Sequence, residues 1–475
     1  MRLETHSYPK ARVGLFAIGL AAYWPQFPGL KERLEGYYRH VAEQLAAFAE
    51  VVGVGLVDTP QAAQAAGARL AAAPVDLLIC HTATYATSAQ VLPVVQQAKV
   101  PVLVLNLQPV PSLDYPHVDT GEWLANCSTC CVPELANAFH RAAIDFQVVS
   151  GQLYDDARAW RELREWCRAA TAVRALRGAR FGFLGHTYPG MLDMYSDFTH
   201  HHAQLGAHVE VLEMGDLAER VAAVSEADVA AKRDETRSVF DLDRSVTPSD
   251  LDWACRVAVG LDRLVADFDL AALTYYYRGA AHSEDERLAA GLILGNTLLT
   301  ARGIPASGEG DLKTAVAMKV LDVLGAGGSY TEFYAMDFAE QFVLMGHDGP
   351  GHIAISDRKP RLRGLGLYHG KAGAGVSVEF NVKLGPVTVF ACTQTRDGRL
   401  KFLAAEGESL AGPILPIGNT NSRIRFGVGP AEFVDAWCAE APTHHCALGV
   451  GHLARTLRKV AQLQSLPFAH VAPPA

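Results

Sequence analysis

The chain has 475 residues, 49% of them hydrophobic and 20% charged, with a net charge of −9. That length suits roughly three domains of ordinary size. The acidic balance argues against nucleic acid as a partner, and no apolar run reaches the roughly 18 residues of a membrane span. The opening stretch MRLETHSYPKARVGLF carries an acid and a proline where an export signal would carry a basic and then an apolar segment, so a cytoplasmic location is expected.

From Arg12 to about residue 150, short apolar runs alternate with amphipathic ones: RVGLFAIGL, VDLLICH and VPVLVLNL are each followed by a helical pattern. Strands that are apolar throughout and separated by helices imply a parallel sheet covered on both faces, which binds ligands beyond the carboxyl ends of its strands. Those ends are expected at Gly19–Gly29, His81–Tyr85 and Gln108–Asn126. A second unit opens near Ala179 with RFGFLGHTYPGMLDMYSD, again a strand and a polar loop, and continues through a helix into the strand-like DLAALTYYY. After about Gly327 the texture changes to short alternating strands punctuated by turns such as Asp397-Gly398, closed by the helical GHLARTLRKVAQLQ. The expected fold is therefore α/β: two Rossmann/flavodoxin-like parallel-sheet domains, residues 1–175 and 176–326, followed by an antiparallel β-barrel-like domain, residues 327–475.

Nine cysteines in a chain without an export signal are expected to be mostly reduced. Three of them cluster as Cys127, Cys130 and Cys131 in NCSTCC. A C-x-x-C pair can contribute to a zinc site, but no second pair follows at a suitable distance, so the stretch reads as a loop.

The stretch GEGDLKTAVAMKV begins at Gly308. Asp311 is placed to cap the helix whose apolar positions are Leu312, Val316, Val320 and Leu324. Glu309 is not needed for that purpose, and its flanking glycines allow a sharp turn that holds its carboxylate clear of the helix. Glu332 follows in GGSYTEFY, His347 in LMGHDG, and the pair His444-His445 in APTHHCALGVGH. Two carboxylates and two imidazoles suit a divalent cation such as Mn²⁺, although residues spread over more than a hundred positions must converge before they form a site.

Taken together and in this order, GEGDLKTA, GGSYTE, LMGH and the late THH resemble the metal-site segments of L-arabinose isomerases and, in outline, the wider group that includes L-fucose isomerase. The resemblance implies Mn²⁺, with Co²⁺ or Mg²⁺ as alternatives, held by Glu309, Glu332, His347 and one of the paired histidines, for which His445 is preferred. It also implies that the two glutamates act as acid and base in a metal-dependent aldose–ketose isomerisation through a cis-enediol. A homo-oligomer (trimer, tetramer or hexamer) with active sites near subunit interfaces goes with it. Departures lie in AIGLAAYWPQFPGL, in LDYPHVDTGEWLANCSTCC and in HTYPGMLDMYSD, so the sugar is left open among pentoses and hexoses. Candidate sugar contacts are Trp24, Gln26, His81, His186, Tyr188, Met191 and His444. A sugar epimerase on the same scaffold and a non-catalytic sugar-binding protein remain alternatives at this stage.

Overall fold

A computed structural model describes residues 7–277, 283–365 and 375–472. The strand-like stretch at 366–374 lies outside the described residues. The chain forms two compact units, one of residues 9–174 and the other of residues 175–472 together with Ser7 and Tyr8.

In the first unit β1 (Arg12–Ile18), β2 (Glu50–Val57), β3 (Leu77–His81), β4 (Val102–Gln108) and β5 (Phe146–Gln152) form a wholly parallel sheet in the order β2-β1-β3-β4-β5. The strands β3 and β4 are buried almost throughout, as their unbroken apolar runs require when helices cover both faces. The edge strand β5 is absent from the sequence reading because only Val149 of its residues is buried, so it carries no apolar run. Strand order reverses between β1 and β3, and the carboxyl ends of such strands border a ligand crevice in open α/β sheets.

Trp24 and Gln26 follow β1, and His81 closes β3. The Trp24 indole N–H donates to Asp58 at 2.8 Å, and the Gln26 amide donates to the Ala22 carbonyl at 2.7 Å. His81 is fully buried, and neither ring nitrogen has a hydrogen-bond partner among the described residues. Burial, with the nearby His40 adding to it, pushes its pKa down to about 4.

A histidine that resists protonation when folded stabilises the fold fully above its unfolded pKa near 6.5, and that stability is lost as the pH falls towards 4. At about 1.36 kcal/mol per unit, wild type is expected to lose about 2–3 kcal/mol more than His81→Leu between pH 7 and 4.5, measured by urea unfolding. A difference between the two proteins that does not change with pH contradicts this.

The second unit contains β6 (Arg180–Gly185), β7 (His208–Leu212), β8 (Asp241–Leu242), β9 (Ala272–Tyr276) and β10 (Ala306–Ser307), then β11 (Gly327–Asp337), β12 (Phe342–His347), β13 (Arg361–Gly364), β14 (Val376–Glu379), β15 (Gly385–Gln394), β16 (Leu400–Leu410), β17 (Thr420–Phe426), β18 (His445–Val450) and β19 (Phe468–His470). A parallel sheet runs β10-β9-β6-β7. Beyond it the pairing turns antiparallel: β15-β18-β11-β12-β17-β16, with β15 also paired to β16, so that these six strands are joined in a cycle. β19 adds to β16 in parallel, and β8 joins β13 and β14 in a small separate sheet.

The helix Leu312–Val323 runs between the two sheet systems and is buried along most of its length. It contacts β9 and β10 of the parallel sheet and β11, β15 and β18 of the antiparallel one. Its low sidedness follows from this position: a helix covered all round has no polar face to present.

Candidate metal centre

Three elements of the second unit converge at the start of this helix. The chain leaves β10, passes Gly308, Glu309 and Gly310, and enters the helix at its N-cap Asp311. The turn is made at Glu309 itself, with φ +61°, and at Gly310, with φ +74°. A left-handed conformation costs a residue with a Cβ roughly 1–2 kcal/mol, and strain of this kind collects at functional sites. The Glu309 carbonyl accepts from the Tyr188 N–H at 2.9 Å, and the Gly310 N–H donates to the Tyr275 carbonyl at 3.0 Å.

A Cβ on Gly310 would lie 2.6 Å from both the His186 carbonyl oxygen and the Thr187 Cα. Gly310→Ala is therefore expected to cost about 2–3 kcal/mol, combining a backbone clash with a strained left-handed φ. Unfolding by urea checks it, and a variant as stable as wild type contradicts the close approach.

The antiparallel register supplies the other groups. On β11, Glu332 faces His445 of β18 on one side and Gly346 of β12 on the other, with His347 next along β12. Glu309, His347 and His445 bring ligand atoms within 4.8 Å of one another, and so do Glu332, His444 and His445. His445 belongs to both groups.

His445 is completely buried. Its Nδ1 lies 3.1 Å from Asp311 Oδ2 and 2.8 Å from the Tyr330 hydroxyl oxygen, while the Tyr330 O–H donates to the Gly308 carbonyl at 3.2 Å. A proton on Nδ1 satisfies this arrangement and leaves the lone pair on Nε2. Nε2 has no hydrogen-bond partner among the described residues and stands 3.6 Å from Glu309 Oε2. Burial pushes the His445 pKa down to about 4, so the ring is neutral near pH 7. A neutral, buried imidazole whose outward nitrogen faces a carboxylate is the form that ligates a cation.

Asp311 thus does more than cap. One oxygen accepts from the Thr314 N–H at 3.0 Å; the other accepts from the Thr314 hydroxyl at 2.8 Å and holds His445. Burial alone would raise its pKa, but the hydrogen bond from His445, with Lys313 and the Thr314 N–H nearby, outweighs it and holds the carboxyl below its ordinary value. His347 Nδ1 accepts from the Gly349 N–H at 3.1 Å and lies 3.0 Å from Asp348 Oδ1. The rings of Tyr330, His347 and His445 pack together with centroids 4.4–5.0 Å apart.

The loop after β6 carries three of the sugar-contact candidates. His186 and Tyr188 pack on Tyr276 of β9, and Met191 begins the turn that leads to Asp193. Asp193 accepts from both the backbone N–H of His444, at 2.9 Å, and its ring Nδ1, at 2.8 Å. Burial works against the Asp193 charge, yet the bonds from His444 hold its carboxyl at about 2. Next to it, the Lys313 ammonium donates to the Met194 and Tyr195 carbonyls and the Ser196 hydroxyl at 3.0–3.1 Å.

Asp193, Lys313, Tyr330 and Asp348 are absent from the sequence reading. Lys313 and Tyr330 lie inside the quoted motifs, where adjacency to Asp311 and Glu332 is a usable signal. Asp193 shows its part only once the β6 loop meets β18. Trp24, Gln26 and His81 belong to the other unit, at the carboxyl edge of its own sheet.

Residues 196–327 match a family model described as the L-arabinose isomerase central domain. An L-arabinose isomerase of Shouchella clausii is 25% identical over 315 residues, covering 64% of this chain and 63% of its own length. One from Nocardioides is 25% identical over 371 residues, 74% of this chain and 72% of its own. One from a Shewanella strain is 28% identical over 240 residues, 46% and 47%. Over these stretches the chain is similar to L-arabinose isomerases. The matched region 196–327 includes Glu309, Asp311 and Lys313, whereas Glu332, His347, His444 and His445 lie beyond it. Among solved structures, a solute-binding protein of Agrobacterium vitis aligns with 63% of the chain at a TM-score of 0.16 and 12% identity, too little likeness to bear on the fold.

Proposed function

We propose that this chain is a metal-dependent aldose–ketose isomerase acting on a pentose or hexose of the L-arabinose kind. The observation that carries the reading is the buried His445 Nε2, without a hydrogen-bond partner among the described residues, 3.6 Å from Glu309 Oε2, with Glu332 across the strand pair. The donor set of two carboxylates and two imidazoles fits a borderline divalent cation such as Mn²⁺. Glu309, Glu332, His347 and His445 would hold that cation, which when bound supplies Lewis-acid polarisation of the sugar's C1 and C2 oxygens.

The chain's own side chains supply the proton chemistry. One glutamate removes the proton on C2 of the open-chain aldose, the other supplies a proton at C1 after the cis-enediol forms, and the O2 hydroxyl proton passes to O1. Both must stand beside the reacting carbons, because proton transfer is efficient only within hydrogen-bond reach. Asp311 and Tyr330 hold His445 in place, and the β6 loop bearing His186, Tyr188 and Met191, pinned by Lys313 and Asp193, borders the sugar. His444, held by Asp193, is read as a sugar contact. A homo-oligomer in the cytoplasm, and a barrel-like closure of the six-strand cycle, complete the proposal.

The test is a panel of L- and D-aldoses assayed after chelation, with and without added Mn²⁺. Ketose formed from at least one aldose only when the metal is restored is expected. Turnover that ignores the metal, or no ketose from any aldose, defeats the reading. An epimerase would return an inverted aldose instead.

A further inference from the structure

A cleft of about 600 Å³ lies at the amino-terminal edge of the parallel sheet β10-β9-β6-β7, within the second unit. The residues leading into β6, β9 and β10, the end of the helix Pro248–Asp267 and Lys319 of the helix Leu312–Val323 line it. The candidate metal centre is at the other edge of this sheet, since Tyr188 follows β6 and Glu309 follows β10. The cleft therefore has no part in the proposed reaction.

Lys319 is only 3% exposed. Its ammonium donates to the Tyr8 hydroxyl oxygen at 2.9 Å and to the Gly303 carbonyl at 3.0 Å, which leaves one of its three N–H groups without a partner among the described residues. Among those residues no carboxylate lies within ion-pair distance of it. Asp322 acts on it from further away and is already engaged by Tyr8 and His352. Burial pushes the ammonium down to about 8, so it is still charged near pH 7. A buried cation held only by neutral oxygens is stabilised by an anion that reaches it.

The other charged residues lining the cleft are Arg180, Arg302, Asp262 and Asp269. Arg302 Nη2 and Lys232 Nζ hold Asp262 at 2.6 and 2.8 Å, and Arg180 pairs with Glu210, so these charges are matched. Each guanidinium keeps an Nη1 group without a hydrogen-bond partner among the described residues. Asp269 opposes an anion, but it is exposed and water screens its charge. The unmatched charge of the cleft is that of Lys319. We propose that this cleft binds a small oxyanion, the carboxylate or phosphate group of a metabolite, with Lys319 supplying the charge and Arg180 and Arg302 supplying further donors. Because it lies across the sheet from the metal centre, the oxyanion does not compete with cation or sugar, and the proposal stands or falls apart from the isomerase reading.

Isothermal titration of the full-length, chelated protein with inorganic phosphate and, separately, with acetate at constant ionic strength tests it; the tighter of the two names the source. At least one of them is expected to fill a single site per chain with a dissociation constant of about 1 mM or lower, whereas the uncharged polyol D-glucitol gives no heat. Lys319→Met should weaken binding by about tenfold or more, since a charge-assisted hydrogen bond is lost. Arg302→Gln, in which Asp262 keeps Lys232 as its partner, should weaken it by about threefold, and it decides the matter if the methionine variant does not fold. Lys383→Met, at an exposed lysine of the same unit, should change nothing. Neither anion binding at millimolar concentration, wild-type affinity in the deciding variant, or an equal loss in Lys383→Met overturns the proposal.

Discussion

Glu309→Gln and Glu332→Gln are each expected to lower turnover by about 10³-fold or more while the fold is retained. Each change removes a proton-transfer group, worth roughly 10²–10⁴-fold, and weakens the hold on the cation. Neither should unfold the protein. Glu309 and Glu332 are only partly buried, and glutamine keeps the size of the side chain. Initial rates at saturating aldose and Mn²⁺, set beside circular dichroism and unfolding curves, separate lost chemistry from lost structure. Either variant retaining activity within tenfold of wild type contradicts its assigned role.

Asp311→Ala is expected to be the most destabilising of the substitutions considered, by about 4–6 kcal/mol. Loss of an N-cap costs about 1 kcal/mol, and removing one partner from a buried charged network costs about 3–5 kcal/mol more in typical cases. Asp311 is fully buried and satisfies the Thr314 N–H, the Thr314 hydroxyl and His445 at once. Its removal also strips compensation from the buried Lys313, whose pKa burial already lowers despite the raising effect of Asp311. Against a typical stability of 5–15 kcal/mol this is a large fraction. Asp311→Asn keeps an acceptor for the cap and should lose less stability while still weakening Mn²⁺ binding, because His445 loses its carboxylate neighbour. Urea unfolding and Mn²⁺ titration read the two effects. A stability loss below about 1 kcal/mol in the alanine variant would leave Asp311 as a surface-grade cap only.

Much of the fold was legible because the buried strands of parallel sheets advertise themselves. RVGLFAI, LLICH and VLVLNLQ are covered on both faces and so are apolar at nearly every position, and they became β1, β3 and β4. Strands with one wet face, such as β5, or of two residues, such as β8 and β10, carry no such run and were not seen. The helix Leu312–Val323 was legible at its start, where Asp311 caps as its position suggested.

At the centre, the motifs picked out Glu309, Glu332, His347 and His445, but local pattern could not supply what surrounds them. The turn at Glu309 falls on the glutamate itself as well as on Gly310, which no rule about glycine anticipates. The Asp311–His445 and Asp193–His444 contacts join residues more than a hundred positions apart. Such pairs are products of sheet register and loop packing, which sequence periodicity does not encode.

The account rests on a cation-assisted transfer of a proton between two neighbouring carbons of an open-chain sugar. Proton NMR of the reaction in deuterated water, with chelated protein and then with Mn²⁺ restored, tests it most directly. The account predicts a ketose carrying solvent deuterium at C1, or an aldose labelled at C2 in the reverse direction, only after the metal is added. An aldose inverted at one carbon with no ketose, or the same product before and after metal addition, would contradict it.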